Sequence, residues 1–202
     1  MSDSNLSEQK KSFNIWKWFG IGCGGCLLTS ILAIAGLGYF IYTNLQFSTD
    51  PQKVEARAKA IFDYEISGGS RGLLTFEILD IKFAQVTNIT TSPQVVLTVG
   101  QTPQKLSGDL QEISISIQQA QDLDLNIESE EIADRQLCGQ TVQVLIQKGK
   151  FNFQKRFKEP KQASSHTAIV NYNDTGRFVW VLAVGEESEA EATKVFDSLE
   201  CK

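Results

Sequence analysis

Four cysteines and one histidine are the residues of this 202-residue chain whose types could carry redox, metal or nucleophilic chemistry. Cys23 and Cys26 form C-G-G-C, the spacing of a dithiol redox pair. Such a pair works at a water-exposed helix start that stabilises a thiolate. Here it lies inside the run 19–43, which holds no charged residue, so it reads as small packing residues or as acylation sites. Cys138 and Cys201 stand far apart along the chain. In an oxidising compartment they would form a disulfide tying the last residues to the middle of the sheet. Otherwise they are two separate small buried thiols, and both readings stay open.

His166 is the single histidine and sits beside Ser164 and Ser165. A hydrolase triad needs a base held between a carboxylate and a nucleophile, and no G-x-S-x-G elbow occurs, so catalysis by His166 is not expected. One histidine and two domain cysteines also leave a four-ligand zinc site short. The stretch from Asp122 through Asp124 to Glu128 begins like a calcium loop, with oxygen ligands at alternate positions. It then fails, because Ile127 stands where the sharp turn needs glycine and Ala133 where the bidentate glutamate belongs. The pattern reads as an acidic, solvated strand edge or loop. Gly68-Gly69-Ser70-Arg71-Gly72 lacks the G-K-[S/T] ending of a phosphate loop and reads as a turn. No catalytic residue, metal or cofactor is expected.

The stretch 148–161 is the basic one. Lys148, Lys150, Lys155, Arg156 and Lys158 are interleaved with Phe151, Phe153 and Phe157. The pattern suits a strand with aromatics inward and cations outward, or more sharply a basic surface for anionic headgroups or an acidic partner. A formal net charge of -5 argues against nucleic acid, whose binding rests on phosphate neutralisation.

These residues must be positioned by a chain for which four parts are expected. Residues 1–18 read as a polar, disordered tail, and 19–43 as a transmembrane helix, long enough at ~1.5 Å per residue to cross a ~30 Å hydrocarbon core. Residues 44–50 are a hinge and 51–202 one soluble domain. The run is longer than a signal-peptide core and no A-x-A cleavage pattern follows it, so the anchor is retained. Lys17 between Trp16 and Trp18 favours a cytoplasmic amino terminus and an extracytoplasmic domain. Gly20 and Gly24 form G-x-x-x-G, a face through which anchors pack on a partner helix or a second copy.

Within the domain, Asp50-Pro51 starts a helix whose apolar face is Val54, Ala58, Ile61 and Phe62. Strand signals cover 73–86, with a bulge or short turn near Asp80, and then 95–99. Over 109–123 Ile113, Ile115 and Ile117 alternate like a strand while Leu110, Ile113, Ile117 and Ala120 keep helical spacing, and Asp109 with Glu112 three residues on favours a helix. Strands are expected at 132–137 and 142–146 around the turn Cys138-Gly139-Gln140, and at 151–157 after Lys148-Gly149-Lys150. A hairpin at 167–184 turns at 173–176, and a last helix shows Ala192, Val195, Phe196 and Leu199. The expected fold class is α+β, a mainly antiparallel sheet with about three packed helices.

The G-x-G-C-G-G-C entry to the anchor, the run 61–66 leading into Gly68-Gly69, and Cys138-Gly139-Gln140 resemble uncharacterised single-pass membrane proteins of bacteria, cyanobacteria in particular. The stretch Val179-Trp180-Val181-Leu182-Ala183-Val184, followed by a helix ending in Phe196-Asp197-Ser198-Leu199, resembles PsbP-type domains. That resemblance implies an antiparallel sheet with packed helices and an accessory or assembly role rather than catalysis; it carries over no functional residue. The expected partners are membrane lipid, another membrane or extracytoplasmic protein, or a second copy. The first function expected is thus a membrane-anchored extracytoplasmic binding or assembly-accessory domain. The alternatives are a small enzyme built on carboxylates such as Asp122, Asp124, Glu130 and Glu131, metal-dependent or not, and a structural oligomer formed through the anchor.

Overall fold

The computed structural model describes residues 46–89, 92–120, 124–152 and 159–202 of the chain. The run 19–43, with Gly20, Gly24, Cys23 and Cys26, lies outside them, and among the described residues no helix is long and apolar enough to cross a membrane. The described residues belong to one unit, Asn44–Lys202.

That unit is an α+β domain built on an antiparallel sheet. In chain order its elements are β1 (Gln46–Ser48), α1 (Pro51–Ile61), β2 (Phe62–Asp63), β3 (Ser70–Ile78), β4 (Ile81–Asn88), β5 (Gln94–Thr102) and α2 (Leu110–Ala120). There follow β6 (Asp124–Leu137), β7 (Gln140–Asn152), β8 (Lys161–Tyr172), β9 (Thr175–Val184), α3 (Ser188–Asp197) and β10 (Glu200–Cys201). Eight strands pair in the order β1-β3-β4-β5-β9-β8-β7-β6, and β10 pairs separately with β2. Two meanders therefore meet at the β5–β9 seam, whose register runs from Gln94↔Val184 to Thr102↔Gly176.

Turn chemistry sets the hairpins. Leu79–Asp80, Cys138–Gly139 and Asn173–Asp174 are two-residue turns with both residues at positive φ, the geometry that matches the right-handed twist of paired strands. Asn, Asp and Gly adopt that conformation readily, whereas Leu79 at φ 48 and Cys138 at φ 56 adopt it against their preference. The slip near Asp80 is thus a turn, and a separate bulge lies between Gly72 and Leu74.

Helix starts follow the expected caps. The Asp50 side chain accepts from the Gln52 N–H at 3.1 Å with Pro51 behind it, and the Asp109 carboxylate accepts from the Gln111 N–H at 2.9 Å. The first helix stops one residue short of the expected apolar face, because Phe62 has already turned to extended backbone and joins β2.

The glycine-rich stretch 68–72 is a turn only at its start, where Gly68 and Gly69 take positive φ; the rest of it is strand. Ser70-Arg71-Gly72 opens β3, where a Cβ at Gly72 would strike the Pro51 carbonyl and the Val54 side chain. Gly72 lets α1 lie close on the sheet. Likewise Lys148-Gly149-Lys150 does not interrupt β7: a Cβ at Gly149 would overlap the Asn126 carbonyl, next to the β6 bulge between Ile127 and Ser129. Glycine here permits close backbone approach, which mimics a turn signal in the sequence. The expected strand 151–157 is described only to Asn152.

Alternation assigns the two faces. Val95, Leu97 and Val99 of β5 and Val179, Val181 and Ala183 of β9 join α1 and α3 in the larger core. Val96, Trp180 and Leu182 face the other way and meet Ile117 of α2. The helices thus sandwich the central strands, which is why those strands read as unbroken apolar runs.

Candidate functional site

The two domain cysteines are bridged. Cys138 lies in the β6–β7 turn, Cys201 in β10, and their Cα atoms are 5.1 Å apart in the disulfide. β10 is also held along β2, since Cys201 pairs with Phe62 and Lys202 Nζ lies 3.1 Å from the Asp63 carboxylate. The hydrogen bond from Lys202 holds the Asp63 pKa below its ordinary value. Beneath this strand, Arg177 is only 4% exposed. Its guanidinium donates to the Ile61 carbonyl and, at 2.6 Å, to the Lys202 carbonyl, and it lies over the Phe62 and Tyr172 rings. Burial lowers its pKa. Sequence reasoning missed Arg177, although its position has the parity of inward-facing Val179 and Val181.

His166 is a core residue. It is 1% exposed, its ring centroid is 5.9 Å from that of Phe196, and Nε2 lies 3.4 Å from the Thr193 hydroxyl. Burial above all, helped by Arg135, pushes its pKa down to about 4. Ser165 points to the opposite face, where its hydroxyl lies 3.5 Å from Gln147 Oε1.

Among the described residues the expected carboxylates Glu130 and Glu131 are parted, whereas the cations Lys148 and Lys150 share one face of β7 and each meets a carboxylate. Asp122 lies outside them, and residues 124–133 form paired strand, which does not wrap a cation. Glu130 opposes Gln147 while Glu131 opposes Ile146, so the two carboxylates face opposite sides of the sheet. Lys148 pairs with Glu189 at 2.7 Å and Lys150 with Glu128 at 3.0 Å; Lys155, Arg156 and Lys158 lie outside the described residues. No group of three or more potential metal ligands occurs among the described residues.

Sequence reasoning also missed a buried amide chain under α2. Gln147 Oε1 accepts from the Ser114 hydroxyl at 2.9 Å and from Gln118 Nε2 at 3.2 Å, while Gln147 Nε2 donates to Glu130 at 2.8 Å. The Gln111 amide also donates to Glu130. Both ends of the Gln147 amide are engaged within the network, which reads as positioning of α2 rather than as a reactive centre.

Two surfaces remain. Among the described residues β6 is the outer strand of the sheet, solvent-exposed over most of 126–136, with Glu128, Glu130, Glu131 and Asp134 against Arg135. At the other side of the sheet a cross-strand row links Phe47, Phe76, Phe83, Gly100 and Phe178 through successive register pairs. Phe76 and Phe83 stack with centroids 4.8 Å apart, and a Cβ at Gly100 would overlap the Phe178 ring, so glycine makes room for the row. Both surfaces offer contact area: a backbone edge open to hydrogen bonding and an aromatic face open to apolar burial. No protein-family model matches the chain, and a search of curated proteins returns no match.

Proposed function

We propose that this chain is a membrane-anchored, extracytoplasmic binding or assembly-accessory protein, tethered by the run 19–43 and working through the surfaces of its domain. The observation that carries the reading is the Cys138–Cys201 bridge, because structural disulfides persist in oxidising compartments and are rare where thiols are kept reduced. An outward-facing domain agrees with the orientation read from Lys17 and the flanking tryptophans. The exposed β6 edge supports a binding role, since an extended segment of a partner can add to it as a further strand. With Glu128 paired to Lys150, Glu130, Glu131 and Asp134 against Arg135 still leave the edge acidic, which repels a second copy of it and favours a partner strand bearing Lys or Arg.

The test is thiol labelling of intact cells with a membrane-impermeant maleimide, with and without prior reduction, reading Cys138 and Cys201. Labelling that requires reduction but no permeabilisation is the expected result. Labelling that requires permeabilisation would turn the domain inward and overturn the reading.

A further inference from the structure

The end of the sheet at which the described chain begins also carries an apolar tip. Gln46 pairs with Glu77, so β1 starts beside the place where β3 turns into β4. That turn presents Leu79, which is 59% exposed, and next to it stand Ile81 at 39% and Phe47 at 61%. The pairs Phe47↔Phe76, Phe76↔Phe83 and Ile78↔Ile81 place Phe47 and Ile81 on one face of the sheet, while the helix on that face, α2, packs on β7 and β8. Lys82 follows Ile81, and Lys53 and Arg57 line a cleft of about 540 Å³ that Phe47 also lines.

The turn residue is the informative one. At the first position of the corresponding turns stand Asn173, which suits positive φ, and Cys138, which does not but is fixed there by its disulfide. Leu79 departs from that chemistry at φ 48 and places a large apolar side chain in water. Both the backbone conformation and the exposure are unfavourable, and apolar surroundings would offset the second.

We propose that Leu79, Ile81 and Phe47 form a lipid-contacting surface that seats in the interfacial layer of the membrane holding the anchor. The proposal rests on the tethered reading above. Chain reach selects the occupant: from Thr43, where the uncharged run ends, to Gln46 the chain can extend at most about 11 Å. The turn lies two residues beyond Gln46's strand partner. An interfacial segment sinks its apolar side chains ~5–10 Å into the headgroup boundary, flanked by cations at headgroup level. Lys82 and Lys53 supply those cations from the α1 face of the sheet, Arg57 being paired with Glu77, and Asp80 is the one carboxylate of the turn itself.

The experiment uses the full chain with Cys23→Ser and Cys26→Ser, leaving the Cys138–Cys201 bridge closed. An environment-sensitive nitrobenzoxadiazole probe is attached through Leu79→Cys or, at the opposite end of the sheet, through Ile89→Cys, an exposed residue at 66%. Each protein is reconstituted into phosphatidylcholine–phosphatidylglycerol vesicles with and without a nitroxide-labelled phosphatidylcholine. The expected result is a blue-shifted emission at position 79 that the nitroxide lipid quenches, and an aqueous, unquenched emission at position 89. Aqueous emission at both positions from protein that floats with the vesicles would overturn the lipid contact while leaving the anchor standing. A blue shift at 79 without quenching would assign the surface to a protein, a second copy included, and also overturn it. Protein that fails to float with the vesicles would overturn the tethered reading and this proposal with it.

Discussion

The two faces of the sheet are built on different rules. Under α1 and α3 the face is filled by Val54, Ala58, Ile61, Leu97, Val181, Val195 and Phe196, and the disulfide ties Cys138 and Cys201 together at its margin. Under α2 the face mixes Trp180, Leu182 and Phe151 with the amide chain of Gln147, Ser114 and Gln118, then runs out into the half-buried row of Phe76, Phe83 and Phe178. Apolar burial is strong and non-directional, so the first face supplies stability. Hydrogen bonds are weak in net terms but directional, so the second face fixes where α2 sits and leaves surface for contact.

Truncation of the two faces should separate them most. Phe196→Ala removes a ring that is 1% exposed and should cost about 3–5 kcal/mol, since the cavity under α3 is walled by the sheet. Phe76→Ala, in the half-buried row, should cost less, about 2 kcal/mol, because that ring is only partly shielded from solvent. Urea unfolding of the detergent-solubilised chain, followed by circular dichroism, gives both values. Equal losses would erase the distinction between the faces.

The disulfide comes next. Its cysteines are 63 residues apart, and closing a loop of that length should stabilise by about 2–4 kcal/mol. Cys138→Ser with Cys201→Ser should lower the unfolding midpoint accordingly, and reduction of the unaltered protein should reproduce the shift. An unchanged midpoint would mean that β10 is held by Arg177 and the Asp63–Lys202 pair alone.

The apolar face was the legible one. Val54, Ala58 and Ile61 announce α1 by spacing, and Val179 to Val184 announce the central strand by β-branched content. Asp50 and Asp109 mark helix starts because a cap is a local event, readable within four residues. The disulfide was legible only as an option, since a Cα separation belongs to the fold. What escaped was non-local. Gly72 and Gly149 look like turn residues until the helix or strand that presses on them is known. Gln147 sits in a strand whose partners Ser114 and Gln118 come from a helix far along the chain, and Arg177 answers carbonyls at Ile61 and Lys202. The aromatic row exists only once the register of five strands is fixed.

Acid should load the α3 face through His166. Its pKa is about 4 in the folded protein against an ordinary value of 6.5, so the folded state resists a proton that the unfolded state accepts. The full stability is present above pH 6.5, declines as the pH falls toward 4, and levels off below it. The limiting slope is about 1.4 kcal/mol per pH unit, giving a loss of roughly 3 kcal/mol across the window. His166→Gln should flatten that part of the profile whatever it does to the plateau. A profile that keeps its slope in the variant would assign the acid sensitivity to other groups.

The smallest effect expected tests the second face. Gln147→Leu leaves the Ser114 hydroxyl, the Gln118 amide and Glu130 short of a partner, and should cost about 1–3 kcal/mol. Ser114→Ala alone should cost about 1 kcal/mol, and the double variant should cost less than the sum, because removing both partners leaves fewer buried groups unpaired. Amide hydrogen exchange adds the spatial readout. If the amide chain positions α2, the Gln147→Leu protein should exchange faster over 110–120 while 188–197 keep their protection. Loss of protection in both helices would mean that the two faces unfold as one unit, and the division of labour between them would fail.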